Sequence, residues 1–594
     1  MPNPSDLILD AWTALNHKRA VGGPVASHLA PAPTWVGEGN RRRLNVYLVL
    51  WSYLKNAARF WLAPNPDDPD RYLQHREYGD PAMLVQTIRA AVLGGQPRAL
   101  VDGSDEEPPR RPTEADVTIE AGGDPAQIRS LLAEAEAEWV ERSERVATAQ
   151  ERQAWLDAWW RSERVSQKVI ETEDKAIGVG DGVYELVPSV DKRRPRLRIH
   201  DPGFYFPVHP DDAQGDDFPD KVHLAWEFEE GDERFVRRIT YQRVQLPVID
   251  GISDDGEVTL SGMERLYPYA DDPSGWTVLK TDATWRLSDI KSGHSVADLT
   301  EESVWSYAYN DGGEPIKELD LYQDYIPVVH VPNTSAISEL WGESALLRVA
   351  QVLDDLAAAD TDLATTAALV AAPPIAISGT ASATAASTIE TYGPGQIFRV
   401  GDGRMDMLDT SKALDALLKQ KDDLLDRLSS VRQVPASVLG RVDLSSDLAG
   451  ITLLLSFGPF RAYIEDLRLV RQEKYGLLFK FAQRMALSHE WVEGDVLPCN
   501  LAFGPYLPTD LEAVRALVVD LVTKGLVSRS TGMRLLQEAG VPIDSIEDEL
   551  AEVRRADFEG AVRLSDALAS ERAAADYLGV QLDALEPSPP EPLA

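Results

Sequence analysis

Ile326-Pro-Val-Val-His330, then Trp341-Gly-Glu-Ser344, then an Ala/Leu/Asp-rich run ending at Pro373-Pro374, is the stretch whose reading decides the fold. The apolar residues 326–330 have the character of a short strand. The composition from Ser335 to about Ala372 predicts a helix of roughly thirty residues, about 45 Å at 1.5 Å per residue. A short β-like segment bearing Gly and Pro follows, and then a second amphipathic helix over Ser411–Arg432. Leu414, Leu417, Leu418, Leu424, Leu425, Leu428 and Val431 share its apolar stripe. A loop carrying Pro435, Gly440 and Gly450 leads into a third helix, where Phe460, Tyr463, Ile464, Leu467, Val470, Leu477, Leu478, Phe481 and Met485 keep the 3.6-residue period. Pro459 lacks an amide donor and clashes with the preceding turn, so a kink or restart is expected there. The order is a strut, a turn, a return strut and a loop. It suits a subunit of a ring better than a catalytic pocket.

Upstream, residues 1–40 mix prolines and glycines and read as a partly ordered arm. Arg41–Trp61 has helical spacing of large apolar side chains. Its basic triplet Arg41-Arg42-Arg43 reads as a solvated helix start, with a contact to DNA or an acidic partner as the alternative. Met83–Leu93 forms another short helix, and residues 95–127, with Asp-Glu-Glu-Pro-Pro-Arg-Arg-Pro, form a loop or linker. From Asp124 to Ile177 the pattern is helical and heavily charged, with Trp155 and Trp159 four apart on one face. The texture then changes. Val183–Val187, Arg196–His200 and Arg234–Tyr241 alternate, separated by turn signals, and predict a β-rich region of short antiparallel strands over 178–334. Beyond Pro508 the chain is again helical to about Leu578, and the Pro-rich tail 581–594 is expected to be disordered. The fold class is α+β.

The chain has 594 residues, enough for two to four domains, and a net charge of −38. That charge excludes an affinity for nucleic acid built on general basicity. It does not exclude a wall past which DNA moves, because like charge removes the electrostatic term that would hold a duplex; solubility alone also accounts for it. Cys499 is the single cysteine and reads as a small buried hydrophobe. No apolar run reaches the roughly 18 residues of a membrane helix, and the first residues do not form a secretory signal.

A search for chemistry returns little. No phosphate-binding Gly-x-x-x-x-Gly-Lys-Ser/Thr run is present. Gly178-Val-Gly180-Asp-Gly182 lacks the spacing of a dinucleotide loop and reads as a hairpin turn. Gly342-Glu-Ser344-Ala lacks the closing glycine of a nucleophile elbow, and Ser344 reads as an early helix residue. His200, Asp201 and His209 match no metal-ligand spacing. No catalytic residue, metal site or cofactor is expected.

Several short motifs, taken in order, resemble the portal proteins of tailed bacteriophages, especially the long-tailed phages of actinobacteria. They are Glu171-Thr-Glu-Asp-Lys-Ala-Ile-Gly-Val-Gly-Asp-Gly-Val-Tyr184, Ile326-Pro-Val-Val-His-Val-Pro-Asn333, Trp341-Gly-Glu-Ser344, Pro435-Ala-Ser-Val-Leu-Gly440, Leu448-Ala-Gly-Ile-Thr-Leu453 and Leu507-Pro-Thr-Asp510, the last followed by a helix from Val514 to Gly525 and by Leu526–Thr531. The likeness covers most of residues 40–560. It implies a portal-like protomer: an N-terminal arm (1–40), a wing (41–334, with a helical first part, the loop 95–127 and the β-rich 178–334), a first stem helix (335–372), a short clip (373–409), a second stem helix (410–432), a tunnel loop (433–458), a long wing helix and return (459–505), a helical crown (506–580) and a tail (581–594).

The function implied is a homo-oligomeric ring, typically a dodecamer, at one capsid vertex of the virion. Double-stranded DNA is packaged and ejected through its channel. The chain would be made in the host cytoplasm and would have no catalysis of its own. The terminase large subunit, major capsid and scaffold proteins and a head–tail adaptor are the implied partners, with no membrane. Carried onto this sequence, Arg441, Asp443, Ser445, Ser446 and Asp447 would face DNA in the tunnel loop. Leu414, Leu417, Leu424 and Leu428 would pack the stem, and Pro394, Gly395, Arg399 and Arg404 would lie on the docking clip. Another connector or scaffold-associated head protein, or an enzyme with an unrecognised site, are the competing readings.

Overall fold

The computed structural model describes residues 34–56, 78–95, 97–106, 109, 111–113, 125–210, 218–245, 249–252, 258–260, 276–290, 295–310, 312–334, 339–371, 375–378, 404–407, 411–436, 438–439, 457–504 and 511–538, with single positions between 541 and 555. In chain order, α1 (Glu38–Leu54) and α2 (Asp80–Leu93) precede strand β1 (Arg98–Val101), and α3 (Pro125–Ser162) and α4 (Val165–Val179) follow. The strands β2 (Asp181–Ser189), β3 (Arg194–His200), β4 (Tyr205–Val208), β5 (Lys221–Glu230), β6 (Glu233–Gln245), β7 (Ile249–Ile252), β8 (Val258–Leu260), β9 (Trp276–Arg286), β10 (Ser306–Tyr307), β11 (Leu319–Asp320) and β12 (Val328–Pro332) come next. Helix α5 (Ala350–Ala371), strands β13 (Ile375–Ser378) and β14 (Arg404–Met407), and helix α6 (Ser411–Arg432) follow. The last elements are α7 (Gly458–Ser488), β15 (Cys499–Ala502), α8 (Leu511–Thr523) and α9 (Arg529–Glu538). The fold is α+β. Two compact units divide it: unit 1 is Met1–Val92 with Gln167–Trp491, and unit 2 is Leu93–Ser166 with Val492–Ala594.

The two larger sheets of unit 1 are antiparallel, and β7–β8 and β13–β14 form two-stranded ribbons beside them in the chain order. The larger runs β10-β9-β6-β5-β4, with β11 also on β9, and the smaller runs β12-β2-β3. In the larger sheet Val222, Leu224, Ile239, Tyr241 and Val278 join one apolar cluster, while Ala225, Val236, Ala283 and Trp285 join another. Successive strand residues point to opposite faces, so both faces of β5, β6 and β9 are covered. These strands are longer than the short strands expected, with β6 reaching 13 residues.

Helix ends are closed by side chains from other elements. Arg468 of α7 donates to the carbonyls of Ala91 and Val92 at 2.9 and 2.8 Å, satisfying acceptors that the last turn of α2 leaves open. Helices α5 and α6 pack together, and β13 and β14 form an antiparallel ribbon between them. Lys421, midway along α6, meets Asp360, midway along α5, at 2.5 Å. Strand β13 leaves the end of α5 and β14 enters the start of α6, with Ile375 opposite Met407, so the two helices run antiparallel.

In unit 2, β1 pairs with β15 from Arg98↔Ala502 to Val101↔Cys499. The Gln153 carboxamide of α3 accepts from Val101 N at 2.8 Å and donates to Ala99 O at 3.0 Å, locking the helix to the strand's outer edge. Helices α8 and α9 form a close pair. A Cβ on Gly532 would come within 2.7 Å of Val522, so the glycine permits that approach.

Several sequence expectations are corrected. The first strut does not begin at Ser335: residues 339–346 are irregular, and the helix starts at Ala350 after one 3₁₀ turn at Leu347–Val349. The amides of Gly342, Glu343 and Ala345 donate to Asp181 Oδ1, Asn333 O and Ile177 O, at 2.9, 3.1 and 2.8 Å. A helix through this segment would forfeit those bonds. Ser344 is therefore not an early helix residue; its Oγ accepts from Leu346 N ahead of the helix. Gly178 and Val179 end α4, and Gly180 (φ 115°) turns the chain into β2, so this is a helix-to-strand turn rather than a hairpin. Pro459 lies in the first turn of α7, where its missing donor costs nothing: it starts the helix and does not kink it. The described helix near Arg41 spans Glu38–Leu54, the one near Met83 begins at Asp80, and the one near Val514 spans Leu511–Thr523.

Candidate functional site

Motifs far apart in sequence converge on one buried polar hub in unit 1. Glu173 of α4 and Arg471 of α7 are both fully buried, with Arg471 Nε donating to Glu173 Oε2 at 2.8 Å. Arg471 Nη2 donates to Asn333 Oδ1 at 2.8 Å and Nη1 to Leu467 O at 3.2 Å. The other Glu173 oxygen accepts from Tyr475 Oη at 2.8 Å, and Tyr475 Oη lies 3.1 Å from Tyr184 Oη on β2. Burial pushes the Tyr475 phenol well above its ordinary range, and the neighbouring Glu173 charge adds to it.

A second chain of contacts adjoins the first. Asp181 at the start of β2 accepts from Tyr47 of α1 and from Gly342 N, and its Oδ1 lies 2.8 Å from His330 Nε2. The His330 ring stacks on Tyr205 at 5.0 Å, and Trp341 meets both. Arg43 lies 3.9 Å above the Trp341 ring and donates to Tyr205 O at 2.6 Å. Arg43 is thus buried rather than solvated, with aromatic faces in place of water around part of its guanidinium. Arg42 pairs with Glu38 on the surface at 3.1 Å.

Four residues along β2, the pattern recurs. Glu185 is fully buried, accepts from Tyr241 Oη at 2.6 Å and lies 2.8 Å from His200 Nε2. Burial alone would raise its pKa, yet the hydrogen bond and charge of His200, with Lys280 and Tyr241, bring it down to about 2. His200 therefore turns to a carboxylate. Among the described residues no group of His, Cys, Asp or Glu is arranged to hold a metal ion. Glycines make the close approach of backbone segments in the hub possible. A Cβ on Gly342 would sit 1.9 Å from Gly180 O and 2.2 Å from Asn333 N.

The arm formed by α5, the β13–β14 ribbon and α6 is anchored to this hub. Tyr53 of α1 donates to Asp354 of α5 at 2.8 Å, and Arg432 at the end of α6 donates to Tyr463 of α7 at 2.7 Å. Beside the Lys421–Asp360 pair, burial and then the Asp360 charge raise the pKa of Asp80. Along the arm, Asp355, Asp362, Asp415, Asp422, Asp423 and Asp426 are exposed, against exposed Lys419 and Arg427.

Of the sequence-selected residues, Leu428 is buried at 1% exposure, and Leu414, Leu417 and Leu424 are half-buried. Leu418 and Val431 on the same helix remain 44% and 45% exposed. Arg404 opens β14 opposite Ser378. Pro394, Gly395 and Arg399 of the clip, and Arg441, Asp443, Ser445, Ser446 and Asp447 of the tunnel loop, lie outside the described residues. Sequence reading missed Glu173, Arg471 and Tyr475 as a unit. The signal was available: Leu467, Arg471, Tyr475 and Leu478 recur at helical spacing, so a cation sits on the apolar stripe. No protein-family model matches the chain, and no curated protein matches it.

Proposed function

We propose that this chain is the protomer of a portal ring of a tailed double-stranded DNA bacteriophage, a passive conduit for packaging and ejection and a docking platform for terminase and a head–tail adaptor. The observation that carries the reading is the order of elements around the hub. Helix α5, the β13–β14 ribbon and the antiparallel α6 form an arm whose base is fixed, and α7 returns from it to bury Arg471 among the quoted motifs. A fixed base with a two-helix arm is what a subunit needs if copies are to pack side by side around a hole. The exposed carboxylates of the arm, in a chain of net charge −38, would keep a passing duplex from adhering. The stem, clip, tunnel-loop and crown assignments belong to this proposal.

The test is particle mass by light scattering, with negative-stain images of the same fraction. Annular particles of about a dozen subunits with an open centre are expected. A strict monomer or dimer at every concentration, also after adding scaffold or capsid protein, would overturn the proposal. Leu418→Glu with Val431→Glu should prevent ring formation without unfolding the protomer, because both side chains are already largely exposed.

A further inference from the structure

We infer that the β2–β3 hairpin is a binding surface for the phosphate backbone of nucleic acid, separate from the arm. The inference starts from a charge reversal. Residues 192–198 carry Lys192, Arg193, Arg194, Arg196 and Arg198 in a chain with 97 acidic and 59 basic residues. In β3 the alternation places Pro195 and Leu197 in the interior and Arg196 in solvent, so Arg194, Arg196 and Arg198 share the other face. Alternate strand positions are about 6.8 Å apart, so these three side chains leave the backbone at even intervals. Arg198 is partly neutralised, with Glu185 at 3.6 Å. Lys192, Arg193 and Arg196 are exposed and form no ion pair among the described residues.

Two features select nucleic acid over an acidic polypeptide strand. β3 is the edge of its sheet, where a partner strand would normally add through backbone hydrogen bonds. Here Pro195 has no amide to donate, and Leu197 O already accepts from Lys168 Nζ at 2.6 Å. A partner is left with side-chain contacts alone. The row offers charge and planar donors that match phosphate, with no buried apolar anchor of the kind that protein interfaces use. Contacts to phosphates alone carry no sequence information, so the binding proposed is independent of sequence. Each phosphate neutralised releases counterions, so the contact weakens as salt rises.

The experiment is fluorescence anisotropy of a labelled short DNA duplex with the full chain between 50 and 200 mM salt. Three phosphate contacts give a slope of log K against log salt of about −2.7, an affinity loss of about 40-fold over that range. Arg193→Glu with Arg196→Glu should cut the slope to about −0.9 or abolish binding. The neutral set Lys192→Gln, Arg193→Gln and Arg196→Gln should weaken binding in the same direction, and Lys480→Glu elsewhere on unit 1 should leave it unchanged. Duplex RNA should bind comparably, since phosphates are shared. No binding at 50 mM salt, or binding indifferent to the hairpin variants, would overturn the inference. So would poly-glutamate competing as well as DNA, which would make the partner an acidic protein. The result is separable from the ring proposal, because the Leu418→Glu, Val431→Glu variant should bind the duplex as well as the parent chain.

Discussion

Replacing Arg471 with Met strands the Glu173 carboxylate inside the hub. Both side chains have zero exposure, and the guanidinium is held by Glu173, Asn333 and Leu467 O. Removing one partner of a buried ion pair costs about 3–5 kcal/mol, because the remaining charge keeps its desolvation penalty without its compensation. Unit 1 spans about 400 residues. With an unfolding entropy of about 2.1 cal/mol/K per residue, the loss corresponds to a fall of about 3–6 °C in the Tm of that unit. Adding Glu173→Leu removes the stranded charge and should restore most of the loss, since well-packed apolar replacements of buried pairs are often neutral. The assay is calorimetry of the parent, the two single variants and the double variant, read as a double-mutant cycle on the unit 1 transition. A double variant whose loss equals the sum of the two singles would refute the coupling. A single-variant loss below about 1 kcal/mol would show that the pair is not desolvated as its geometry states.

Three further predictions follow from the same geometry. The folded pKa of Glu185, about 2, lies below its ordinary 4.5, so its contribution is complete above pH 4.5 and is lost as pH falls from 4.5 towards 2. The size is on the order of 3 kcal/mol, and Glu185→Gln should flatten stability in that window when measured by urea unfolding. Gly342→Ala drives a methyl group into Gly180 O and breaks the Asn333 N to Gly180 O bond of 2.8 Å, so a loss above about 3 kcal/mol is expected by thermal unfolding. Burial pushes the Cys499 thiol up to about 12; its alkylation by iodoacetamide at pH 8 should be slow in the folded chain and fast in urea, and equal rates would place the thiol at the surface.

The helices and their order were legible because amphipathic periodicity is local. Ser411–Arg432 matches the observed α6 in both bounds, and the β-rich texture of 178–334 corresponds to two larger antiparallel sheets and the β7–β8 ribbon. The misreadings share one cause. Ser335–Ala372 has a continuous helical composition, yet its first part supplies backbone amides to Asp181, Asn333 and Ile177, a tertiary demand that no local propensity encodes. Arg43 was read as solvated because a basic triplet normally is, whereas its guanidinium is enclosed by Tyr47, Phe206 and Trp341, two of them more than 160 positions away. Conversely, the motifs that carried the family resemblance, Glu171–Tyr184, Ile326–Asn333 and Trp341–Ser344, meet in a single cluster that their order in the chain does not disclose.

That convergence accounts for so much buried polarity in the hub. Asp181 and Glu185 lie on one face of β2, on either side of Val183, which is itself opposite His330 on β12 and His200 on β3. Each carboxylate is held by one tyrosine hydroxyl and one imidazole. A slip of one residue between β12 and β2 would turn His330 to the opposite face and leave Asp181 without that partner. The penalty for an uncompensated buried carboxylate, several kcal/mol, is large against the small net stability of a fold. An apolar hub would be about as stable but would lack this additional penalty against a slip. The register of β12 sets the position of Asn333, which binds Arg471 and the amide of Glu343, and so sets where α5 begins. The polar hub therefore fixes the base of the arm to within one residue. The ring proposed above would require that accuracy, because every subunit in it would have to present the same arm.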